Sequence, residues 1–91
     1  QSGTLSELAD KLHYDVYWLS REIKRKTGMT FTELLQEKRL LQADYLLLNS
    51  NIPVGDIARG VGYNNTNYFH CIFKKRFGVS PKKYRTTANR A

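Results

Sequence analysis

A chain of 91 residues with 41% hydrophobic and 12% aromatic content can bury one modest core, or two very small ones that share an element. No apolar run approaches the ~18 residues of a membrane span, nothing resembles a signal peptide, and the lone Cys71 excludes an internal disulfide and fits a reducing cytoplasm. The formal charge of +7 and pI near 9.8 call for a polyanionic partner. That charge is uneven: residues 1–56 carry seven Lys/Arg against eight Asp/Glu, and residues 57–91 carry eight Lys/Arg and no acid. A solvated face accounts for a short basic run, but an acid-free stretch of this length favours nucleic acid.

Gln1-Ser2-Gly3 has no pattern. Thr4 and Glu7 form a capping box, and Leu5, Leu8, Ala9 and Leu12 give the apolar face of a helix over 5–12. His13-Tyr14 is a turn, and Asp15 caps a second helix over 16–27 that Gly28 closes. That helix carries Trp18, Leu19, Glu22 and Ile23 on one side and Tyr17, Ser20, Arg21 and Lys24 on the other. Thr30 and Glu33 form a second capping box, opening the longest helix over 31–49, with Leu35, Leu40, Ala43, Leu46 and Leu47 as its buried stripe. Asn49-Ser50-Asn51-Ile52-Pro53 breaks it.

From Pro53 to Tyr84 the period describes two helices joined by a tight turn, then a short third. Ile57, Ala58 and Val61 mark the first, and Gly62-Tyr63-Asn64-Asn65 stops it and starts the next. Tyr68, Phe69, Ile72, Phe73 and Phe77 mark the apolar face of a helix whose far end is Lys74-Lys75-Arg76. Ala58 followed by Gly62 is helix-turn-helix spacing: a small residue where the helices cross, and a glycine where φ is positive. Ser80-Pro81, an N-cap followed by proline, opens a last short helix through Tyr84 and Arg85, with a polar, frayed tail from Thr86. With no alternating stretch, the fold class expected is all-α.

The hairpin occurs twice. Residues 5–9 lie over residues 54–58 at an offset of 49, placing Leu12 on Val61. After the turn the offset becomes 50, placing Leu19 on Phe69, Ile23 on Phe73, Lys24-Arg25-Lys26 on Lys74-Lys75-Arg76 and Gly28-Met29-Thr30 on Gly78-Val79-Ser80. The expected organisation is a first helix-turn-helix over 4–30, a linker helix over 31–49, and a second helix-turn-helix with its final helix over 53–85. A linker of about 18 residues spans roughly 27 Å. With its flanking turns it can hold two recognition helices about one duplex turn, ~34 Å, apart, on an asymmetric target.

The pattern resembles the DNA-binding domain of the AraC/XylS family of bacterial transcription regulators. The resemblance rests on Asp56-Ile57-Ala58, Val61-Gly62-Tyr63, Tyr68-Phe69, Phe73 through Pro81 and Tyr84-Arg85. In the first unit and the linker, Leu8-Ala9, Leu19, Lys24, Gly28 through Phe31, Arg39 and Ala43 also fit. It covers about residues 4–85. It implies two homeodomain-like subdomains on double-stranded DNA, contact with RNA polymerase in relatives that activate, and no cofactor. It also implies that a helix precedes the first unit, and that a sensory or dimerisation domain belongs to the longer protein of which this chain is a part.

The same resemblance assigns base contacts to Tyr17, Ser20 and Arg21 in the first unit and to Thr66, Asn67, His70 and Cys71 in the second. The chemistry agrees for most: Arg21 suits guanine, Asn67 suits adenine, and Thr66 can touch a thymine methyl. The plainer readings are a surface arginine, an asparagine capping its own helix and an idle exposed histidine. Cys71 departs from the family, where Arg or Lys is common, and His13 stands where the turn prefers glycine. Phosphate contacts are expected from Lys24, Lys26, Arg39, Lys74, Lys75, Lys82 and Arg85, with helix N-termini assisting. Trp18, Phe69, Phe73, Phe77 and Tyr84 are expected in the core.

Catalysis is not supported. His70 and Cys71 are neighbours on a helix, about 100° apart, and cannot meet as base and nucleophile. One cysteine and two histidines have no zinc-ligand spacing. The alternative from another class is a basic helical module that binds an acidic protein.

Overall fold

The structure, a computed structural model, describes residues 4–89; Gln1-Ser2-Gly3 and the end of the polar tail lie outside the described residues. These fold into α1 (Leu5–Leu12), α2 (Val16–Thr27), α3 (Phe31–Asn49), α4 (Val54–Gly60), α5 (Thr66–Phe77) and α6 (Pro81–Asn89), with no strand among them. Two compact units, residues 1–38 and 39–91, divide within α3.

In the first unit the expected caps are present. Glu7 N–H donates to Thr4 Oγ1 (3.1 Å) while Thr4 N–H donates to the Glu7 carboxylate (3.3 Å). Asp15 Oδ1 accepts from the N–H groups of Tyr17 (2.8 Å) and Trp18 (3.0 Å). Between them α1 ends in a Schellman closure. His13 N–H reaches Asp10 O (3.2 Å), Tyr14 N–H reaches Ala9 O (2.8 Å), and His13 itself is left-handed at φ 61°. Ala9 and Leu19 are buried where α1 meets α2.

Two expectations for this unit are corrected. Leu12, the last residue of α1, is 47% exposed, because the helix ends before a second layer covers it. Trp18 is 43% exposed and not core. It stands one residue, about 100°, from the buried Leu19, and rests on the Tyr14 ring at 5.0 Å instead. An open surface groove of about 460 Å³ runs past Leu8, Ile23, Phe31, Leu34 and Leu35.

The second unit is better packed. Leu40, Ala43 and Leu47 from α3, Ile57 and Ala58 from α4, Val61 and Tyr63 from the turn, and Phe69 and Phe73 from α5 form one buried cluster. Phe77 and Tyr84 close over it, with Phe73 ring centroids 4.4 Å from Phe77 and 5.3 Å from Tyr84. The turn repeats the first unit's closure: Gly62 N–H reaches Arg59 O (3.1 Å) and Tyr63 N–H reaches Ala58 O (2.8 Å). Asn65 then caps α5 through Tyr68 N–H (3.1 Å), so Asn64 is the residue that shifts the repeat. Tyr68 was expected on the apolar face but is 50% exposed, the counterpart of Trp18.

α6 runs to Asn89, past the expected end near Arg85. Thr86 Oγ1 donates to Lys82 O (3.0 Å), and two side chains tie the helix to α3. Tyr84 O–H donates to Asp44 Oδ1 (2.7 Å) and Arg85 Nε–H donates to Leu47 O (3.0 Å).

Phe73→Ala, which empties a fully buried aromatic site, should cost ~3–5 kcal/mol in urea unfolding. The two turns should respond with opposite signs. Gly62 sits at φ 115° and a Cβ there would lie 2.9 Å from Arg39 Nε, so Gly62→Ala should destabilise by about 1–3 kcal/mol. His13→Gly relieves a strained φ and should stabilise by about 0.5–1 kcal/mol in the same assay.

Candidate nucleic-acid interface

Each recognition helix opens with a short polar cap that leaves its first turn facing solvent. In α2, Tyr17 is 74% exposed, and Ser20 and Arg21 are exposed one turn on. Cap and buried Leu19 together fix which side chains remain outside, because successive residues step about 100° around the helix. Arg21 therefore carries a solvent-facing fork of donors on the side away from Ala9 and Leu19.

In α5 the same positions differ in chemistry. Asn67 and Cys71 are exposed, and Thr66 is half-buried. His70, assigned to a base contact and expected to be exposed, is half-buried and engaged. Its ring stands edge-on to Phe69 with centroids 6.0 Å apart, and Nδ1 lies 2.7 Å from Thr66 O. A carbonyl oxygen only accepts, so Nδ1 carries the proton in this contact. In the neutral imidazole Nε2 is then an acceptor.

The seven cations expected at phosphates fall into two groups. Lys24, Lys26, Lys74, Lys75 and Lys82 are exposed, and only Lys24 is drawn in, its Nζ donating to Gly28 O (3.1 Å) and capping its own helix. Arg39 and Arg85 are half-buried and held by the protein. The Arg39 guanidinium lies over the Tyr63 ring, 5.5 Å from its centroid. Burial pushes the Tyr63 phenol above its ordinary range, and the nearby charge of Arg39 works against that rise. Arg85 gives Nε–H to Leu47 O and has Nη2 buried without a hydrogen-bond partner. Both follow from tertiary contacts with α3 or the turn, which helical period alone does not show.

Charge divides along the same units. Residues 1–38 hold six Lys/Arg and six Asp/Glu, whereas residues 39–91 hold nine Lys/Arg and two Asp/Glu. The first unit is thus neutral overall and the second carries the net +7.

Comparison with known proteins decides the family. Residues 8–87 match the helix-turn-helix domain family. The transcriptional activator RhaS of Yersinia pestis is 41% identical over 80 residues, 88% of this chain and 29% of RhaS. The bifunctional transcriptional activator/DNA repair enzyme AdaA of Bacillus subtilis is 39% identical over 82 residues, 90% of this chain and 39% of AdaA. Among solved structures, the DNA-binding domain of the global transcriptional factor AdpA, in complex with a target DNA, superposes with a TM-score of 0.87 at 25% identity, covering 96% of this chain and 78% of that one.

The chain belongs to the AraC/XylS type of helix-turn-helix domain. It spans less than two-fifths of the length of these curated relatives. For an AraC/XylS-type domain the all-α architecture with two hairpins is the expected one, and the neighbours share it. No helix among the described residues is long and apolar enough to cross a membrane.

For this AraC/XylS-type domain the exposed lysines of the second unit should dominate salt dependence. Lys75→Ala or Lys82→Ala should weaken binding to all duplex sequences alike and reduce the slope of log K against log salt by about 0.9. Fluorescence anisotropy across a salt series measures both.

Proposed function

We propose that this domain binds double-stranded DNA sequence-specifically within a bacterial transcription regulator, each unit laying its second helix into a major-groove segment. The observation that carries the reading is the repeated hairpin: one Schellman closure, one polar cap and one solvent-facing first turn, built twice. Its likeness to a DNA-binding domain seen on target DNA supports it, as do relatives named as activators.

Within that reading, Arg21 bonds guanine O6/N7 and Asn67 bonds adenine N6/N7, with Thr66 against a thymine methyl. Tyr17, Ser20 and His70 complete the base-facing set, and Cys71, a weak donor, adds little to it. Lys24, Lys26, Lys74, Lys75 and Lys82 grip phosphates, while Arg39 and Arg85 hold the second unit together. The regulator acts in the cytoplasm and, as an activator, touches RNA polymerase. A sensory or dimerisation domain completes it. The domain has no catalytic role of its own on this reading.

Selection from a random duplex pool should recover a bipartite, non-palindromic site. Five base pairs inserted between its halves, about half a turn, should abolish tight binding, and a full turn should restore part of it. Arg21→Ala should cost ~1–3 kcal/mol and relax preference at one base pair in the first half. A domain that recognises acidic proteins would select no sequence from the pool.

A further inference from the structure

A helix at a protein surface turns its apolar stripe inward and its charged side chains to water. The second half of α3 departs from that rule. Leu40, Ala43 and Leu47 are buried in the core of the second unit. Leu41, Tyr45 and Leu48 nonetheless stand exposed roughly 130° further round the helix, Tyr45 at 65%. Ile52 is exposed just past the helix end, its N–H held by the Ser50 hydroxyl (3.3 Å). The other exposed residues of 40–53 are Gln42, Asn49, Asn51 and Pro53, so this side of the unit shows water no charge at all. The one acid of the stretch, Asp44, is half-buried and accepts from Tyr84 O–H.

We propose that this face pairs with the same face of a second copy of the domain, α3 against α3, antiparallel about a two-fold axis beside Tyr45. The row 41, 45, 48 steps by four and then by three, which is the spacing of the apolar seam between two paired helices. A two-fold axis requires a patch that complements itself, and this row does so. Reversing α3 about Tyr45 sets Leu41 against the partner's Leu48 and Leu48 against the partner's Leu41, with the two tyrosines side by side.

Charge argues for a copy over a different molecule. The second unit carries the whole net +7, so two such units repel each other. The outer side of α3 is a face on which they can meet without setting like charges together. Lacking any exposed charge, the same face has nothing with which to select an acidic protein or hold a phosphate. Three seam side chains from each copy fall far short of the ~20–30 residues a side of a stable interface, so the pair is weak and dissociates on dilution.

Sedimentation equilibrium of the chain from about 10 µM to 2 mM, in salt that screens its charge, should show monomer passing to dimer with a Kd of about 0.1–1 mM. Tyr45→Lys and Leu48→Lys replace exposed side chains, a thermal melt checks that each still folds, and both should stay monomeric throughout. A mixture reads the register. Leu41→Glu and Leu48→Lys should each fail to pair alone and should pair together, because the antiparallel arrangement sets one beside the other. Wild type that is monomeric at the highest concentration overturns the proposal. So does a dimer that survives Leu48→Lys, or a mixture that stays monomeric. The pairing does not need DNA: a chain that pairs but selects no duplex removes the DNA-binding reading alone, and one that selects a duplex but never pairs removes this proposal alone.

Discussion

Two backbone hydrogen bonds govern the architecture of both units: Tyr14 N–H to Ala9 O and Tyr63 N–H to Ala58 O, each 2.8 Å. A six-residue closure of this kind fixes the direction in which the chain leaves the first helix, and so where the second helix starts. It imposes three demands on the sequence. The residue before the tyrosine must take a left-handed φ, the residue at the acceptor must be small, and the next helix must be capped within two residues. Ala9 and Ala58 are both buried, so the crossing is close in each hairpin. The left-handed position is filled by histidine in one and glycine in the other, so the same geometry is held against strain in the first and without it in the second. The second unit adds a lock: the Arg39 guanidinium packs against Gly62 and over Tyr63, leaving no room for a Cβ at the turn.

That lock explains why positive charge is not equivalent to DNA contact in this chain. The second unit carries all of the net charge, yet two of its arginines serve its own fold. Arg85 pays a desolvation cost at Nη2 that the Leu47 bond offsets only in part, and gains an anchor between α6 and α3 in return. Tyr84, bonded to Asp44 and held above its ordinary pKa first by that hydrogen bond and then by burial, provides a second anchor. The exposed lysines remain for a polyanion. The two units thus differ in character: one neutral, with an open apolar groove at its surface, the other cationic and filled by an aromatic cluster.

Much of this was legible in the chain because the helix ends are written in local chemistry. Thr4, Asp15, Thr30 and Ser80 announce starts and Gly28 and Gly78 announce stops: α1, α2, α3 and α6 begin, and α2 and α5 end, where those residues place them. The repeat was legible for the same reason. What escaped were properties decided by tertiary neighbours. Trp18 is aromatic enough to be assigned to the core and Tyr68 to the apolar face, but a step of 100° separates each from the residue that is buried, Leu19 or Phe69. Arg39 and Arg85 have the residue type of phosphate contacts, and only their packing against Tyr63 and Leu47 shows a different employment. α6 runs four residues past its expected end, and its anchors, Tyr84 and Arg85, bond α3 residues forty and thirty-eight positions away, beyond any local signal.

His70 shows how far local structure can set recognition chemistry. Its ring nitrogen is committed to Thr66 O, one turn back in the same helix, so α5 itself selects the tautomer. A neutral imidazole with Nδ1–H so engaged offers one acceptor, Nε2, and no second donor. In a major groove the complementary groups are the exocyclic amines of adenine and cytosine, whereas Arg21 in the first unit offers only donors and complements guanine. Similar folds need not therefore carry similar recognition chemistry: closures and caps of one kind present only donors at Arg21 and, on a neutral ring, one acceptor at His70. On the proposed reading, that difference in side-chain chemistry favours an asymmetric target, and symmetry of the backbone does nothing to restore it.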